Sequence, residues 1–382
     1  MSLKVDLEGA TILRPEGFSD EPLYVSDGLI SETATGRTVN LEGYRVLPGI
    51  IDVHGDGFER HVAPRRGAMK DVGEGIRAAE IELAANGVTT GVLAQFISWE
   101  AGLRGPEFAA RVFDALVDIR GQIITDIRAQ VRLETHLLDE FETLPDKMRT
   151  WDISYLVFND HLPHERLSSG RKPPRLNGQA LRAGRSPEMY LNEMMRLHQQ
   201  KGVDDAVCDL AMRLSDAGIR IGSHDDGSAQ DRNKWRAMGV VICEFPEQLA
   251  AATSAREGGD LVVMGAPNIV RGGSHNGNVS ALELVSKGLC DALASDYHYP
   301  SLRRAALKLV DMDVCDFPTA WGLISSGPAR VLGLSDRGVL ATGKRADIVV
   351  LDRDDRIAAT IANGRISHMS GDVAECFVHA AL

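Results

Sequence analysis

The stretch RVLPGIIDVHGD, residues 45–56, decides the fold. Most of its apolar residues are β-branched, which favours a buried strand, and only Pro48 and Gly49 interrupt the run. The strand ends abruptly at a histidine and a carboxylate, His54 and Asp56. Because residues two apart along a strand share a face, we expect these two side chains to point the same way. A buried strand with this ending is typical of a metal-dependent enzyme.

Segments with strand character recur along the chain, and helical patterns separate most of them. The candidate strands are residues 46–54, 87–96, 129–138, 154–161, 219–226, 240–245, 261–267 and 291–297. The helical patterns are residues 73–85, 106–120, 187–217 and 277–287. Strands that alternate with helices predict an α/β fold with a parallel sheet. Eight such strands favour a (β/α)8 TIM barrel over a doubly wound open sheet.

The two ends of the chain differ in texture from the middle. Residues 1–44 and 335–382 contain short alternating segments separated by turn residues, as in KVDLEGATIL and DIVVLDRDDRIAATIANGRI. We therefore predict one small, discontinuous β domain built from both termini, and a metal-dependent catalytic barrel over residues 45–334. Within the barrel region, residues 164–187 are rich in Pro, Gly and Arg, which predicts a long loop over the barrel mouth.

Composition and charge indicate an ordinary globular protein. The 382 residues carry a formal net charge of −12, with 44% hydrophobic and 25% charged residues. This balance argues against a general nucleic-acid or membrane-surface binder. The five cysteines are scattered without a CxxC pair, and the first residues lack the apolar segment of a signal peptide. We therefore expect a cytoplasmic protein without a membrane helix, and a homo-oligomer with a dimer as the default.

Imidazole and carboxylate side chains recur where the candidate strands end. They are His54 and Asp56, Glu134 and His136, Asp160 and His161, His224 with Asp225 and Asp226, Glu244, and Asp296. Because the carboxyl ends of barrel strands share one face, these side chains should converge there. Such ligands bind zinc, manganese or iron, and a site for one or two divalent ions would lower the pKa of a bound water.

A lone histidine at a strand end is more often structural than metal-binding, so the candidates differ in weight. The residues that we expect at the metal centre are His54, Asp56, Glu134, His224 and Asp296. His161 is a further candidate with Asp160 as its alternative, and Glu244 and His136 are expected to orient ligands through hydrogen bonds. Other histidines, interpreted as surface or loop residues, are His61, His164, His198, His368 and His379.

A glycine-rich stretch, MGAPNIVRGGSHNGN at residues 264–278, is the second candidate site. Backbone amides of such turns and of a helix N-terminus bind phosphate oxygens, and an arginine adds paired donors. The predicted anion-binding residues are Arg60, Arg271, Gly272, Gly273 and His275. Arg65 and Arg66 are further candidates that can equally face solvent. The alternative is an ordinary turn, since the spacing of a Walker A motif is missing.

Several of these motifs resemble the amidohydrolase superfamily. The shared features are RVLPGIIDVHGD, the glutamate after the third strand, IGSHDD, the aspartate of LASDY and the C-terminal GVLATGKRADIVVLD. HGDGFERHVAPR, ISWEAGLRG, SDYHYPSL and above all GAPNIVRGGSHNGN are similar to one branch of the superfamily. Its members are the α-D-ribose 1-methylphosphonate 5-triphosphate diphosphatases of the carbon–phosphorus lyase pathway, which serves phosphonate utilisation.

The resemblance implies a distorted (β/α)8 barrel with a small β-sandwich and a divalent metal centre, for which we expect zinc. It also implies hydrolysis of a ribose 5-triphosphate to the 5-phosphate and pyrophosphate, and a functional link to the other carbon–phosphorus lyase enzymes. The positions that match metal ligands are His54, Asp56, Glu134 and His224. Asp296 matches the catalytic aspartate, and we expect it to be the general base.

Two points stay open at this stage. The usual histidine after the sixth strand is absent, since that strand ends in CEFP, so we expect His161 to replace it. The alternative function is hydrolysis of a C–N bond by a cyclic amide hydrolase, a deaminase or a sugar-phosphate deacetylase of the same fold. A neutral amide substrate would not need Arg60 and Arg271 beside the metal, which is why we favour a phosphorylated sugar.

Overall fold

The computed structural model of the protein describes residues 2–63, 71–273 and 277–380. The strands in these residues are β1 Val5–Glu8, β2 Thr11–Arg14, β3 Gly17–Ser19, β4 Leu23–Ser26, β5 Leu29–Ser31, β6 Thr38–Asn40, β7 Arg45–Pro48, β8 Ile50–Gly55, β9 Val88–Ile97, β10 Asp126–Glu134, β11 Tyr155–Asn159, β12 Arg220–His224, β13 Ile242–Glu244, β14 Leu261–Gly265, β15 Ala292–Ala294, β16 Ile348–Leu351, β17 Ile357–Ala362 and β18 Arg365–Met369.

Helices follow most of the strands in the middle of the chain. They are α1 Glu59–Val62, α2 Val72–Ala85, α3 Pro106–Ile119, α4 Leu144–Thr150, α5 His164–Ser168, α6 Leu176–Arg182, α7 Pro187–His198, α8 Val203–Asp216, α9 Ala229–Ala237, α10 Leu249–Glu257, α11 Ala266–Arg271, α12 Ala281–Ser286, α13 Ser301–Asp311, α14 Phe317–Gly322, α15 Ser326–Leu332 and α16 Val373–Val378. Among the described residues, no helix combines the length and the apolarity that crossing a bilayer requires.

Strands β8 to β15 form one eight-stranded sheet in which the strand order follows the chain. The pairs β8–β9, β10–β11, β11–β12, β12–β13 and β14–β15 are parallel. A further parallel bridge joins Gly55 at the end of β8 to Asp296 just after β15, so the first and last strands meet and the sheet closes on itself. The predicted (β/α)8 barrel is therefore confirmed.

The prediction of a single first strand over residues 46–54 is wrong, because two strands occupy this stretch. Strand β7 pairs with β16 and β2 in a six-stranded sheet, whereas β8 enters the barrel. Gly49 lies between them, and its amide donates to the carbonyl of Asp347 at 2.9 Å. A Cβ atom at Gly49 would lie 2.3 Å from Oγ1 of Thr89, so only glycine fits this crossing.

Strands from both termini combine in two smaller sheets. One is four-stranded, in the order β5-β4-β1-β6, and the other is six-stranded, in the order β18-β17-β16-β7-β2-β3. A single hydrophobic cluster takes buried side chains from both ends of the chain, including Val5, Leu23, Ile348 and Phe377. These sheets contain the strands expected of the small terminal domain, and its exact limits stay a prediction. Because β7 belongs to the six-stranded sheet, residues 45–48 lie with the terminal strands.

The chain divides into two compact units. The first unit contains residues 1–93, 118–128 and 261–382, and the second contains residues 94–117 and 129–260. Within the second unit, the prediction of a long loop over residues 164–187 is wrong, since α5 and α6 lie there. Leu167 of α5 and Leu176 of α6 are buried against Tyr190 of α7 and Trp99, so apolar residues spaced along this polar segment anchor both short helices.

Candidate metal centre and active site

In the first unit, the backbone holds His54, Asp56 and Asp296 together. The amide of Asp296 donates to the carbonyl of His54 at 3.0 Å, and the amide of Asp56 donates to the carbonyl of Asp296 at 2.8 Å. Asp296 has a φ of +55°, in the left-handed region that aspartate and asparagine adopt more readily than most residues. Of the predicted residues, these three are therefore brought side by side at the closure of the barrel sheet.

Asp52 supports this arrangement from within the barrel wall, and the sequence analysis missed it. Its carboxylate accepts hydrogen bonds from the amide of Ser295 at 2.9 Å, from Oγ of Ser295 at 2.5 Å and from the amide of His54 at 3.3 Å. Burial raises the pKa of Asp52 above its ordinary value, although these hydrogen bonds act in the opposite direction. The available signal was a carboxylate inside an otherwise apolar strand.

In the second unit, Glu134 at the end of β10 lies against His161. The carboxylate of Glu134 is fully buried and accepts hydrogen bonds at 3.2 Å from Nε1 of Trp99 and from the amide of His161. It also contacts Nδ1 of His161, so Nε2 would be the metal-binding nitrogen of that imidazole. Burial alone would lower the pKa of His161, but the hydrogen bond to Glu134 and its charge raise it overall.

The neighbouring residue, Asp160, has different partners. Its carboxylate accepts from Nε2 of His164 at 2.9 Å and from the amide of Leu162 at 3.1 Å. Of the two residues at this strand end, His161 is thus the one in contact with Glu134. This geometry favours His161 over Asp160 as the ligand beside Glu134.

His224, at the end of β12, contacts two charged side chains. Its Nδ1 lies 2.9 Å from Oδ2 of Asp225, and its Nε2 lies 3.1 Å from Nη2 of Arg132. Arg132 is buried and lies over the ring of Phe96, 3.9 Å from its centroid. The sequence analysis missed Arg132. Polar residues at every second position of β10, Gln130, Arg132 and Glu134, were the signal that one face of this strand points into a polar site.

Glu244, at the end of β13, is held by hydrogen bonds from neighbouring strands. Its Oε1 accepts from Nε2 of Gln130 at 2.8 Å and from the hydroxyl of Tyr155 at 2.5 Å. Burial, followed by the charge of Glu244, raises the pKa of Tyr155 well above its ordinary value, so this hydroxyl stays a donor. These contacts fit the predicted orienting role of Glu244, which stays a prediction.

The predicted anion-binding arginines converge on one residue of the first unit, Tyr297. Nη1 of Arg60 donates to its carbonyl at 3.2 Å, and Nη1 of Arg271 donates to its hydroxyl at 2.8 Å. Arg60 also forms an ion pair with Glu82, which binds Nε2 of His61 at 2.6 Å. Tyr297 directly follows Asp296, so a single peptide links the predicted general base to the contact point of both arginines.

The glycines beside Arg271 lie at the C-terminal end of α11. Gly272 ends the helix in the left-handed conformation, with a φ of +86°. Its amide donates to the carbonyl of Ile269 at 3.1 Å, and the amide of Gly273 donates to that of Asn268 at 3.2 Å. The phosphate-binding role of the two glycines stays a prediction. To bind phosphate, both amides would have to leave these helix carbonyls and donate to phosphate oxygens instead. His275, Arg65 and Arg66 lie outside the described residues.

The comparison with known proteins identifies the family. Alpha-D-ribose 1-methylphosphonate 5-triphosphate diphosphatase of Escherichia coli (strain K12) is 32% identical to this chain over 336 residues, which cover 85% of this chain and 88% of that protein. A model of the amidohydrolase family matches residues 180–368. The chain belongs to the amidohydrolase family. The resemblance seen in the sequence motifs is confirmed, and the chain is a hydrolase of this family.

Two solved structures share this fold. A Xaa-Pro dipeptidase with bound methionine in the active site matches with a TM-score of 0.66 and 14% identity, over 96% of this chain and 100% of that chain. An N-acetyl-D-glucosamine-6-phosphate deacetylase from Mycobacterium smegmatis matches with a TM-score of 0.63 and 14% identity, over the same shares of the two chains. At this identity the likeness concerns the fold alone.

The donors at the strand ends fit the divalent metal that is typical of the amidohydrolase family. His54 and Glu134, each at the end of a barrel strand, are fully buried. Imidazole nitrogen and carboxylate oxygen are together the ligands of zinc, manganese and iron sites. Each unit supplies both kinds of donor, with His54 and Asp56 in the first and Glu134 and His224 in the second.

Proposed function

We propose that this chain is a metal-dependent diphosphatase that cleaves a ribose 5-triphosphate to the 5-phosphate and pyrophosphate. The substrate we propose is α-D-ribose 1-methylphosphonate 5-triphosphate, the compound in the name of the E. coli relative. One observation carries the proposal. The backbone of Asp296 is hydrogen-bonded to the backbones of His54 and Asp56. The next residue, Tyr297, accepts hydrogen bonds from Arg60 and Arg271. Hydrolytic groups and cations for a polyphosphate are thus neighbours in the first unit.

The proposed metal ligands are the five imidazole and carboxylate residues at the ends of four barrel strands. They are His54, Asp56, Glu134, His161 and His224. When bound, the divalent ion supplies a Lewis acid that lowers the pKa of water toward neutrality. Zinc is the ion that we expect.

The remaining roles belong to Asp296 and the cations. The carboxylate of Asp296 accepts the proton of the attacking water and orients that water for in-line attack on a phosphorus atom. Arg60 and Arg271 bind non-bridging oxygens and stabilise the negative charge that grows on the departing pyrophosphate. We also propose His275 and the amides of Gly272 and Gly273 as phosphate contacts. Pyrophosphate is a good leaving group, so the reaction does not require a separate general acid.

Phosphorus NMR of the zinc-loaded or manganese-loaded protein tests the proposal. The substrates are α-D-ribose 1-methylphosphonate 5-triphosphate, ATP and GTP. Pyrophosphate and a 5-monophosphate are the expected products, and faster turnover of the phosphonate would establish the substrate. A metal-loaded protein that releases no pyrophosphate from any triphosphate would overturn the proposal. Acetate release from N-acetylglucosamine 6-phosphate in the same preparation would then favour the C–N hydrolase.

A further inference from the structure

Four residues of the second unit form a compact histidine cluster near the proposed metal ligands Glu134 and His161 of the same unit. The cluster consists of His136 after β10, Asp160 after β11, His164 in α5 and His198 at the end of α7. The sequence analysis interpreted His164 and His198 as surface or loop residues and His136 as an orienting partner. The folded chain instead brings all four side chains together, although α5 and α7 are separate helices.

The distances within the cluster are short. Nδ1 of His136 lies 3.7 Å from Oδ1 of Asp160, and Nε2 of His164 lies 2.9 Å from Oδ2 of Asp160. One ligand atom from each of these three residues can be chosen so that all lie within 4.8 Å of one another. Ligand atoms bound at about 2.1 Å to a tetrahedral zinc ion are about 3.4 Å apart. The spacing therefore needs only small side-chain adjustments to surround an ion.

The second nitrogen of His164 has the partner that a metal-bound imidazole needs. Nδ1 of His164 lies 2.7 Å from Nδ1 of His198, and Nε2 of His198 lies 3.1 Å from Oγ of Ser168. When His198 carries its proton on Nε2, its Nδ1 accepts from His164 and its Nε2 donates to Ser168. In this arrangement Nδ1 of His164 keeps a proton, and a bound ion would take the place of the proton that Nε2 shares with Asp160. Outer partners orient metal-binding histidines in this way.

The cluster is open to solvent on one side. A cavity of about 530 Å³ is lined by His136, Asp160 and His164 and also by Asp204 and Asp205. The side chain of His164 is 40% exposed, whereas that of His136 is 8% exposed. A cation can therefore enter from solvent. Asp204 is paired at 2.8 Å with Lys234, which also lines the cavity, so the extra carboxylate that would attract a cation is that of Asp205.

We propose that His136, Asp160 and His164 bind a divalent cation of the zinc class, with His198 orienting His164. This second site is distinct from the proposed catalytic set, because Asp160 faces His164 whereas His161 faces Glu134. The bound ion joins the segments after β10 and β11 to α5, and through His198 to α7. Its role is to hold these helices on the ends of the barrel strands, and a water or a substrate oxygen completes its coordination.

Zinc stoichiometry of the full-length protein tests the proposal without relying on activity. Metal-free protein is titrated with Zn²⁺ against a chromophoric chelator, and Co²⁺ absorption reports the coordination. His164→Gln is expected to bind one equivalent less than the wild type. His198→Gln is expected to keep the equivalent with an affinity about 10 to 100 times weaker, since His198 acts through His164. His368→Gln, in β18, is the matched control and should bind like the wild type.

Two results would overturn the second site. The first is that His164→Gln binds as many equivalents of zinc as the wild type, with the same affinity. The second is that the control His368→Gln loses as much zinc as His164→Gln does. Circular dichroism of the metal-free variants checks that each is folded. Because His164 is half-exposed, we expect the fold to tolerate its substitution. His136→Gln removes another proposed ligand and should also bind one equivalent of zinc less. Pyrophosphate release is recorded separately, so a failure of the diphosphatase proposal leaves the stoichiometry test intact.

Discussion

The backbone amide of Asp296 donates to the carbonyl of His54 at 3.0 Å, which ties the residue after the last barrel strand to the end of the first. The closure of the barrel thereby sets the backbone of Asp296 beside that of His54. The bond uses backbone atoms only. Substitution of either side chain therefore leaves this closure in place.

Asp296→Asn should lower kcat for pyrophosphate release by about 10² to 10⁴, the usual contribution of a general base. Asparagine also tolerates the left-handed backbone at this position, which has a φ of +55°, so the fold should be kept. Rates are measured by phosphorus NMR, with metal content and melting temperature as controls. A variant with near wild-type turnover would remove Asp296 from the role of general base.

Arg271→Gln should raise KM for the triphosphate by about 10 to 150 times, because a hydrogen bond to a charged group contributes about 1.5–3 kcal/mol. Its partner Tyr297 keeps its place through the contact of its carbonyl with Arg60. Steady-state kinetics with the triphosphate check this expectation. Arg77→Gln, which removes an exposed pair with Glu74, is the control and should leave KM unchanged. Equal effects of the two substitutions would argue against a phosphate contact at Arg271.

Arg232→Met should destabilise the protein by about 3–5 kcal/mol, the usual cost of breaking a buried ion pair. Arg232 is fully buried and lies 3.2 Å from a carboxylate oxygen of each of two buried residues, Asp226 and Asp260. Its loss would leave Asp226 without its cation. Urea unfolding of metal-free protein measures the change. The control is Arg196→Ala, which removes an exposed pair with Glu193 and should cost no more than about 1 kcal/mol of stability. A similar loss of unfolding free energy in the two variants would contradict this prediction.

Asp126 should stabilise the protein at neutral pH but not in acid. Burial alone raises the pKa of Asp126, but Arg128 and Arg337 outweigh it and lower the pKa below the ordinary value of 3.8. A carboxylate with a lowered folded-state pKa contributes stability above its unfolded pKa and loses it as the pH falls through the folded value. The difference in melting temperature between the wild type and Asp126→Asn should therefore be largest near pH 6 and shrink below about pH 4. A constant difference would contradict this assignment.

The barrel could be predicted because its signals lie within short stretches of sequence. The site could be predicted only in part, because some of its contacts join residues that are distant in sequence. Each barrel strand carries its own apolar run, and its polar ending marks one face, which is why the sequence alone pointed to His54, Glu134 and Asp296 as candidates. The partners of His164 and His198 depend on how α5 and α7 pack, and no pattern within either helix encodes that. Arg132 was hidden for another reason, because an arginine within a strand usually indicates an exposed face.

The crossing at Gly49 has a consequence for protein engineering. Two consecutive amides donate to different segments of the chain: the amide of Gly49 to the carbonyl of Asp347, and the amide of Ile50 to the carbonyl of Gly87. The missing side chain leaves room for Thr89. A chimera that exchanges the terminal strands between two relatives must therefore carry Gly49, Thr89 and Asp347 as one set. A chimera that places a larger residue at position 49 opposite Thr89 would disturb the start of β8, the strand that carries His54.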